Sequence, residues 1–422
     1  MPDYSKQLPT IPSQKKPQIL KFIKQTKLKK MKRLTMKTII LASLLISAIN
    51  LGCQDFYTDY EYRVPEQTED GLEVAGMGQV NIDTPLVMDA IKHIGGGKYG
   101  EIHSVLIYKD DKLVLEEYFP GHSYQWDASG HKGEWLAWNR EMPHCIHSDT
   151  KSITSLCIGI AIDKGFIENV HQSIFDYLPD YQHFKTNNKE YISIEHVLTM
   201  TSGLRWEEWG VSLGSIKNDQ IGIWFWEDGP MNYVLGRNFV AEPGKRFNYS
   251  GGDIQILVEI LKNATGMTLD EFSEKHLFEP LGITSFDWWL KFPSSGEIQG
   301  AGGLKLTPRD MVKIGSMMLN KGMWNGQRIV SEDWVSKCSK PYAGNYGIKV
   351  PGEDLGNVGY GYTWWTKQYP EYGPMFFALG WGGQKIMVFP ELNAVIVFTG
   401  ANYKSKVKQN KILEKYILPA LH

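Results

Sequence analysis

The run 148–151 (Ser-Asp-Thr-Lys) at the start of a strongly apolar segment constrains this chain more than any other feature. Residues 153–162 place apolar side chains on every side of a helix and Gly165 ends the run, which predicts a helix buried nearly all round. A spacing of three residues puts Ser148 and Lys151 on one helix face. Burial and the positive end of the helix dipole are expected to lower the pKa of Lys151, so that it can act as a base for the serine hydroxyl.

The same run has a second interpretation, in which Ser148 only caps the helix and Lys151 is solvated. An S-x-x-K spacing recurs by chance because it fixes only two positions. Further segments are therefore needed to assign chemistry to it.

Composition and charge limit the class of protein. The chain has 422 residues, 42% hydrophobic content and 14 Trp, which is enough for a large core. Residues 1–37 hold 11 Lys and Arg and one Asp, so the remainder holds 45 − 11 = 34 basic and 47 − 1 = 46 acidic residues, a balance of −12. A nucleic-acid partner is not expected, because no basic surface is left to follow a phosphate backbone.

The N-terminal part predicts export. The apolar run 38–49 is too short for a comfortable transmembrane helix and follows a basic stretch, as in a signal peptide. Residues 50–53 resemble a relaxed bacterial lipobox, in which Cys53 is lipidated and anchors the protein to a membrane, facing the periplasm or the cell surface. An ordinary cleaved signal is the alternative, and Met31 or Met36 is a candidate for the true start.

Three regions are predicted along the chain: a basic extension with a lipoprotein-type signal over 1–53, a polar tether over 54–80, and a catalytic domain over 81–422. Cys145, Cys157 and Cys338 form no C-x-x-C pair, so neither a disulfide framework nor a zinc site is indicated.

Strand patterns lie at both ends of the domain and helical patterns lie between them. Residues 104–108 and 112–118 predict a hairpin, and residues 359–365, 375–379, 385–390 and 394–398 predict four later strands. Helices are expected at 84–94 and about 405–419, and over much of 148–290. The expected fold is α/β (α+β): an antiparallel sheet built from both chain ends and flanked by helices, with an inserted all-α lobe.

Two more segments could complete a site around Ser148. In residues 247–252, Tyr249 precedes a helix and could accept a proton and return it to a leaving group, although an isolated tyrosine is more often a packing residue. In residues 380–384 (GWGGQ), paired glycines between two predicted strands allow a substrate to approach the backbone.

Taken together and in this order, the three segments resemble the serine β-lactamase and penicillin-binding-protein superfamily, in its class C-like branch with family VIII esterases and 6-aminohexanoate-dimer hydrolases. The resemblance extends over about residues 80–420. Further landmarks that match this superfamily are residues 149–155, 198–204, 301–310, 323–326 and 359–362.

The resemblance implies a role for each matching residue. Ser148 corresponds to the acylated nucleophile, Lys151 to the amine that activates it, and Tyr249 to the general acid and base. The backbone N–H groups of Ser148 and Gln384 correspond to the oxyanion hole. No metal and no organic cofactor is implied.

Two departures from the family pattern bear on the substrate. Gly251 stands where many relatives have an asparagine, so the amide that would hold an acylamino group is missing. Trp381 stands where penicillin-recognising relatives have Lys or His, before Gly382 and Gly383. A neutral indole cannot make the charge-assisted contact of about 1.5–3 kcal/mol with a β-lactam carboxylate. These four residues are expected to border a small ester or amide.

The resulting expectation is a serine hydrolase that forms an acyl-enzyme on Ser148. A D,D-peptidase or weak β-lactamase is one alternative, and a non-hydrolytic sensor or binding protein that is acylated once is another. The oligomeric state is left open by the sequence.

Several motifs are expected to be structural. Residues 210–214 fit G-x-S-x-G, but no strand precedes Ser212. Residues 95–100 fit G-x-G-x-x-G by spacing, but they follow a predicted helix and precede a predicted strand, the reverse of a dinucleotide-binding fold. A turn is therefore predicted. His144 and His147 flank the tetrad and are expected to be structural, and Cys145 is expected to be a buried residue.

Overall fold

A computed structural model describes Tyr57 and residues 59–422 of the chain. The predicted signal peptide and Cys53 lie outside these residues. Within the described part of the chain, no helix is both long enough and apolar enough to cross a membrane.

The strands, in chain order, are β1 (Ile102–Lys109), β2 (Lys112–Tyr118), β3 (Gly121–Tyr124), β4 (Lys132–Leu136), β5 (His144–Cys145), β6 (Phe286–Trp288), β7 (Leu304–Leu306), β8 (Met323–Trp324), β9 (Gln327–Arg328), β10 (Ile348–Lys349), β11 (Asn357–Tyr360), β12 (Trp365–Tyr369), β13 (Gly373–Gly380), β14 (Gln384–Phe389) and β15 (Ala394–Gly400).

The α-helices are α1 (Thr84–Gly95), α2 (Asp149–Asp163), α3 (Ile194–Leu198), α4 (Asp219–Gly222), α5 (Pro230–Leu235), α6 (Gly251–Thr265), α7 (Leu269–Ser273), α8 (Pro308–Leu319), α9 (Glu332–Cys338), α10 (Gln409–Ile412) and α11 (Leu418–Leu421). A π-helical turn, Leu413–Ile417, joins the last two.

Eight strands form one antiparallel sheet in the order β10-β11-β12-β13-β14-β15-β1-β2. Strand β15 pairs with β14 on one side and with β1 on the other, so the two ends of the chain meet in the middle of the sheet. Helix α8 packs on β1, β14 and β15, and α2 packs on β13 and β14. The expectation of a sheet built from both chain ends, with a mainly helical region inserted between them, is confirmed.

The predicted hairpin is present, and Asp110 and Asp111 form its turn in the left-handed backbone region. The prediction of one strand over 359–365 is wrong, because the chain turns between β11 and β12. Thr363 has a φ of 59° there and its N–H donates to the carbonyl of Gly361. An aromatic sequence typical of a strand gives no sign that a β-branched residue within it adopts a positive φ.

Part of the expected tether is folded. Leu72 and Met77 are buried, Val74 forms a parallel bridge with Leu113 of β2, and the Tyr60 hydroxyl donates to Glu117 over 2.6 Å. Apolar residues spaced among the polar ones give this segment enough hydrophobic area to pack on the edge of the sheet.

Candidate active site

Ser148 occupies the N-cap position of α2, but its side chain makes no capping hydrogen bond. The hydroxyl instead accepts a hydrogen bond from Nζ of Lys151 over 3.1 Å. The capping interpretation of the tetrad therefore does not describe this serine, whose oxygen is held by the amine three residues later.

Helix α2 is fixed from several directions. Its residues from Asp149 to Ala161 are all buried, as the apolar pattern predicted. The hydroxyls of Ser152 and Ser155 donate to the carbonyls of Thr363 and Tyr362, over 2.8 and 3.0 Å. The turn between β11 and β12 thus anchors the helix that begins after Ser148.

Lys151 is buried and surrounded by polar partners. Its Nζ also donates to the carbonyl of Ala301 over 3.0 Å and lies 3.7 Å from Oε1 of Glu208. Burial alone would lower the pKa of this ammonium, but the Tyr249 hydroxyl and the Glu208 carboxylate raise it above its usual value. The expectation of a lowered pKa is therefore corrected, because it did not include a buried carboxylate beside the amine.

Tyr249 meets the other two residues although it lies far from them in the sequence. The Nζ of Lys151 is 4.7 Å from the centre of its ring. Burial raises the pKa of the phenol, whereas the charge of Lys151 and hydrogen bonding with Ser148 and Lys151 act in the opposite direction. The convergence of a hydroxyl, an amine and a phenol that the sequence predicted is thus present.

The loop before α6 holds Tyr249 in place. The Asn248 side-chain amide donates to the carbonyls of Leu204 and Trp206, over 3.2 and 3.1 Å. The backbone N–H of Asn248 donates to the carbonyl of Met200, over 2.8 Å. The segment after α3 therefore positions the phenol.

Glu208 is a member of this centre that the sequence reasoning missed. Its Oε2 accepts hydrogen bonds from the Trp206 indole over 2.9 Å and from the backbone N–H of Gly251 over 2.8 Å. Its side chain is only 10% exposed. An acidic residue set between tryptophans is a signal for a buried carboxylate, but its spacing does not connect it to Lys151. Gly251, which was expected to border substrate, contacts Glu208.

The turn between β13 and β14 lies close to the backbone that precedes Ser148. A side chain at Gly380 would overlap the carbonyl oxygen of Ile146, two residues before Ser148, which shows how closely the two backbones approach. Trp381 follows and lines the cavity. Gly382 and Gly383 have φ values of 89° and 100°, conformations that favour glycine.

Gln384, whose backbone N–H is the expected oxyanion donor, begins β14 directly after the turn. It is fully buried, its side-chain amide donates to the carbonyls of Trp381 and Gly400, and it does not line the cavity. Gly382 and Gly383 do not line the cavity either. Ser148 and Trp381 both line the cavity, and within the described residues no backbone carbonyl accepts a hydrogen bond from either N–H group.

The cavity in front of Ser148 has a volume of about 580 Å³. Ser148, Tyr249, Glu208 and Trp381 open onto it, whereas Lys151 is buried behind them. No cluster of three His, Cys, Asp or Glu side chains suited to a metal ion occurs among residues 59–422.

Among the neighbouring titratable residues, Cys145 is half-buried and not buried as expected, and His147 lines the cavity. Burial lowers the pKa of His147 to about 3, so this ring is neutral where it packs against Tyr124. Burial raises the pKa of Cys145 to about 12, which disfavours a thiolate nucleophile. His144 is buried and stacks on Trp138.

The two motifs at residues 210–214 and 95–100 are also structural, as predicted. Ser212 is exposed and its hydroxyl accepts a hydrogen bond from the N–H of Gly214. Residues 95–100 form the turn between α1 and β1.

Comparison with known proteins agrees with this geometry. The chain is 25% identical over 264 residues to the 6-aminohexanoate-dimer hydrolase of Paenarthrobacter ureafaciens, a match that covers 60% of this chain and 65% of that enzyme, just under two thirds of its length. The fold is similar to that of a family VIII carboxylesterase, with a TM-score of 0.59 at 15% identity, covering 84% of this chain and 99% of the other.

A penicillin-binding protein homologue from Pyrococcus abyssi has the same fold, with a TM-score of 0.57 at 20% identity over 79% of this chain and 77% of the other. The sequence model of the Beta-lactamase family matches residues 101–413, which contain α2, the loop that carries Tyr249 and the turn at Trp381. The chain therefore belongs to the β-lactamase family of hydrolases.

Proposed function

We propose that the protein is a serine hydrolase that cleaves a small-molecule ester or amide through an acyl-enzyme on Ser148. One observation carries the proposal: the Nζ of Lys151 is 3.1 Å from the Ser148 hydroxyl and 4.7 Å from the ring centre of Tyr249, beside a cavity of about 580 Å³. A hydroxyl so placed can attack a carbonyl while its proton passes to the adjacent amine and phenol.

Because their raised pKa values keep a proton on both Lys151 and Tyr249, the reactive form is the one in which this pair has lost one proton. In the first step the Ser148 oxygen bonds to the substrate carbonyl carbon, the carbonyl π bond opens to an oxyanion, and the serine proton moves to the vacant position on the pair. The backbone N–H of Ser148 and one from the turn at residues 381–384 are proposed to stabilise the negative carbonyl oxygen. Tyr249 then donates a proton to the departing alcohol or amine, and the bond between carbonyl carbon and leaving group breaks.

In the second step a water molecule attacks the acyl-enzyme. Its proton passes to Tyr249 and Lys151, and the released Ser148 oxygen regains one. The acid product leaves and the starting protonation state is restored. Each proton taken up by the pair is returned, so the cycle balances.

Two features favour esters and amides over β-lactams. Trp381 places a neutral indole at the position where penicillin-recognising relatives carry a cation. The name of the relative from Paenarthrobacter ureafaciens is that of an amide hydrolase, and one structural neighbour is a carboxylesterase.

The test is hydrolysis of p-nitrophenyl butyrate, a short amide, a D-alanyl-D-alanine peptide and nitrocefin by the wild type and by Ser148→Ala. We expect ester or amide turnover with an initial burst, a Ser148 adduct by mass spectrometry, and loss of turnover by several orders of magnitude in the variant. Preferential turnover of nitrocefin or of the peptide would overturn the proposal in favour of a β-lactamase or D,D-peptidase. A persistent adduct without turnover would favour a sensor.

A further inference from the structure

Aromatic side chains dominate the wall of the cavity. Those that line it are Tyr124, Trp126, Trp209, Trp224, Phe225, Tyr249, Trp289, Trp365 and Trp381. Most ligand cavities are apolar with a few placed polar groups. The number of flat ring surfaces here goes beyond what a short aliphatic group would need.

One group of rings surrounds the phenol. The indole of Trp209 is stacked on Tyr249, with 4.9 Å between ring centres and 21° between planes. Trp365 lies 5.7 Å from Tyr249 at 28°. These three near-parallel rings pack against one another and all line the cavity, which favours contact with another ring there.

A second group surrounds the turn that bears Trp381. The ring centre of Trp381 is 6.2 Å from that of Tyr124, with the planes at 73°. His147, whose ring is neutral, lies 5.6 Å from Trp381. Here the rings meet edge to face, and they add no charge to the cavity wall.

The rim of the cavity is also apolar. Phe225 is 70% exposed and Trp126 is 46% exposed, although both line the cavity. A bound group that reached the rim would remove this apolar surface from water, which is favourable in proportion to the area covered.

The charged side chains on the cavity wall are all negative. Among the lining residues that the structure describes, Glu208 and Glu353 are the ones with charged side chains. Glu353 is paired with the fully buried Lys385 over 2.7 Å, and Lys151 is 2% exposed behind the wall. A carboxylate on the substrate would therefore meet no exposed cation and would lose its hydration without compensation.

We propose that this cavity selects esters or amides that carry a bulky, ring-bearing and uncharged group, and that it rejects anionic ones. The inference rests on the proposed hydrolase function and adds the chemical class of the substrate. A cavity of about 150 Å³ holds benzene, so the volume of about 580 Å³ accommodates a ring system together with the scissile bond.

The first test compares p-nitrophenyl acetate, butyrate, hexanoate, cyclohexylacetate and 3-phenylpropionate. Each kcat/KM is divided by the rate constant of hydroxide hydrolysis of the same ester, which removes differences in intrinsic reactivity. We expect the ring-bearing esters to exceed butyrate by at least about tenfold. Equal normalised values, or a decline with size, would overturn the inference while leaving ester hydrolysis intact.

The second test addresses charge with esters of matched length, p-nitrophenyl pentanoate and mono-p-nitrophenyl glutarate. We expect kcat/KM for the anionic ester to be lower by at least about tenfold at low ionic strength. An equal or higher value for the glutarate ester would show that a cation serves the cavity, contrary to the inference.

Binding to Ser148→Ala, measured by calorimetry, separates this inference from the proposed function. The variant retains the cavity, so p-nitrophenyl 3-phenylpropionate should bind at least about tenfold more tightly than the acetate, whether or not the wild type turns either over. Phe225→Ala should reduce this ratio. An unchanged ratio in Phe225→Ala, or no difference between the two esters in Ser148→Ala, would contradict the proposed selection.

Discussion

Lys151 and Glu208 form an ion pair next to the candidate nucleophile, with 3.7 Å between Nζ and Oε1. The pair is almost completely buried, since the two side chains are 2% and 10% exposed. A carboxylate at this distance favours the ammonium form of Lys151 and opposes the effect of burial. Glu208 thereby acts on the protonation of the pair that would take the serine proton.

Glu208→Gln tests this effect because an amide oxygen can still accept the hydrogen bonds from Trp206 and Gly251. Loss of the negative charge should lower the pKa of Lys151, so the acidic limb of the profile of kcat/KM against pH should move to lower pH by about one to three units. The measurement is ester hydrolysis over a range of pH in buffers of constant ionic strength.

Glu207→Gln is the matched control, because Glu207 does not line the cavity and its Oε1 accepts a hydrogen bond from the N–H of Gly210. It changes the formal charge by the same amount and should leave the profile in place. An acidic limb that stays fixed in Glu208→Gln, or that moves to higher pH, would show that Glu208 does not act on the catalytic pair.

Tyr249→Phe should lower kcat by about 10²–10⁴-fold, because the leaving group loses its proton donor. The ring keeps its contacts with Trp209 and Trp365, so KM should change little. Steady-state kinetics with an alkyl ester, whose alkoxide leaves poorly without a proton, makes the effect visible.

Tyr360→Phe removes a nearby phenol that does not line the cavity, and serves as the control. A similar loss of activity in both variants would assign the effect to packing and not to the Tyr249 hydroxyl.

Lys385→Met should destabilise the fold by about 3–5 kcal/mol, because it leaves the Glu353 carboxylate buried without its partner. Lys385 also donates to the Gln409 side chain over 2.5 Å, and Gln409 in turn donates to the carbonyl of Gly383 in the turn beside Trp381. Urea unfolding followed by circular dichroism measures the change.

Lys337→Met breaks an exposed ion pair with Asp333 and should cost no more than about 1 kcal/mol. If both lysine variants had equal stability, the buried pair would contribute no more than a surface one.

The buried Asp253 carboxyl should make the free energy of unfolding depend on pH. Burial raises its pKa from the ordinary 3.8 to about 7, although hydrogen bonds from Ser202 and Ser250 oppose this. As the pH rises, the unfolded chain loses this proton first. The stabilisation that comes from the raised pKa of Asp253 is therefore complete below about pH 4 and is lost as the pH rises to about 7.

The free energy of unfolding of Asp253→Asn, measured at several pH values, should decline less between pH 4 and pH 7 than that of the wild type. Asp333→Asn, at a position 76% exposed, should parallel the wild type. Parallel curves for wild type and Asp253→Asn would refute the raised pKa.

The sequence predicted the elements whose signals are local. The apolar periodicity after Ser148 predicted α2, and segments of strand pattern separated by turn residues predicted strands of the large sheet. Tyr249 could be placed beside Lys151 only through the resemblance to a known family, because no local pattern connects the two.

What escaped prediction depends on contacts between distant segments. Glu208 meets Lys151 only after the loop that follows α3 folds against α2. The burial of Gln384 follows from hydrogen bonds to Gly400 on the neighbouring strand, which no turn pattern encodes. The turn at Thr363 likewise depends on a distant contact, because its carbonyl accepts a hydrogen bond from Ser152 of α2.

The position of β15 between β14 and β1 has a consequence for biosynthesis. A nascent chain that has not yet released residues 394–400 from the ribosome lacks the strand that joins its first hairpin to the rest of the sheet. The earlier segments, including the one that carries Ser148, must therefore wait for almost the whole polypeptide to emerge. A chain that ends before residue 394 lacks this strand, and formation of the whole sheet depends on the slow closure of this long-range pairing.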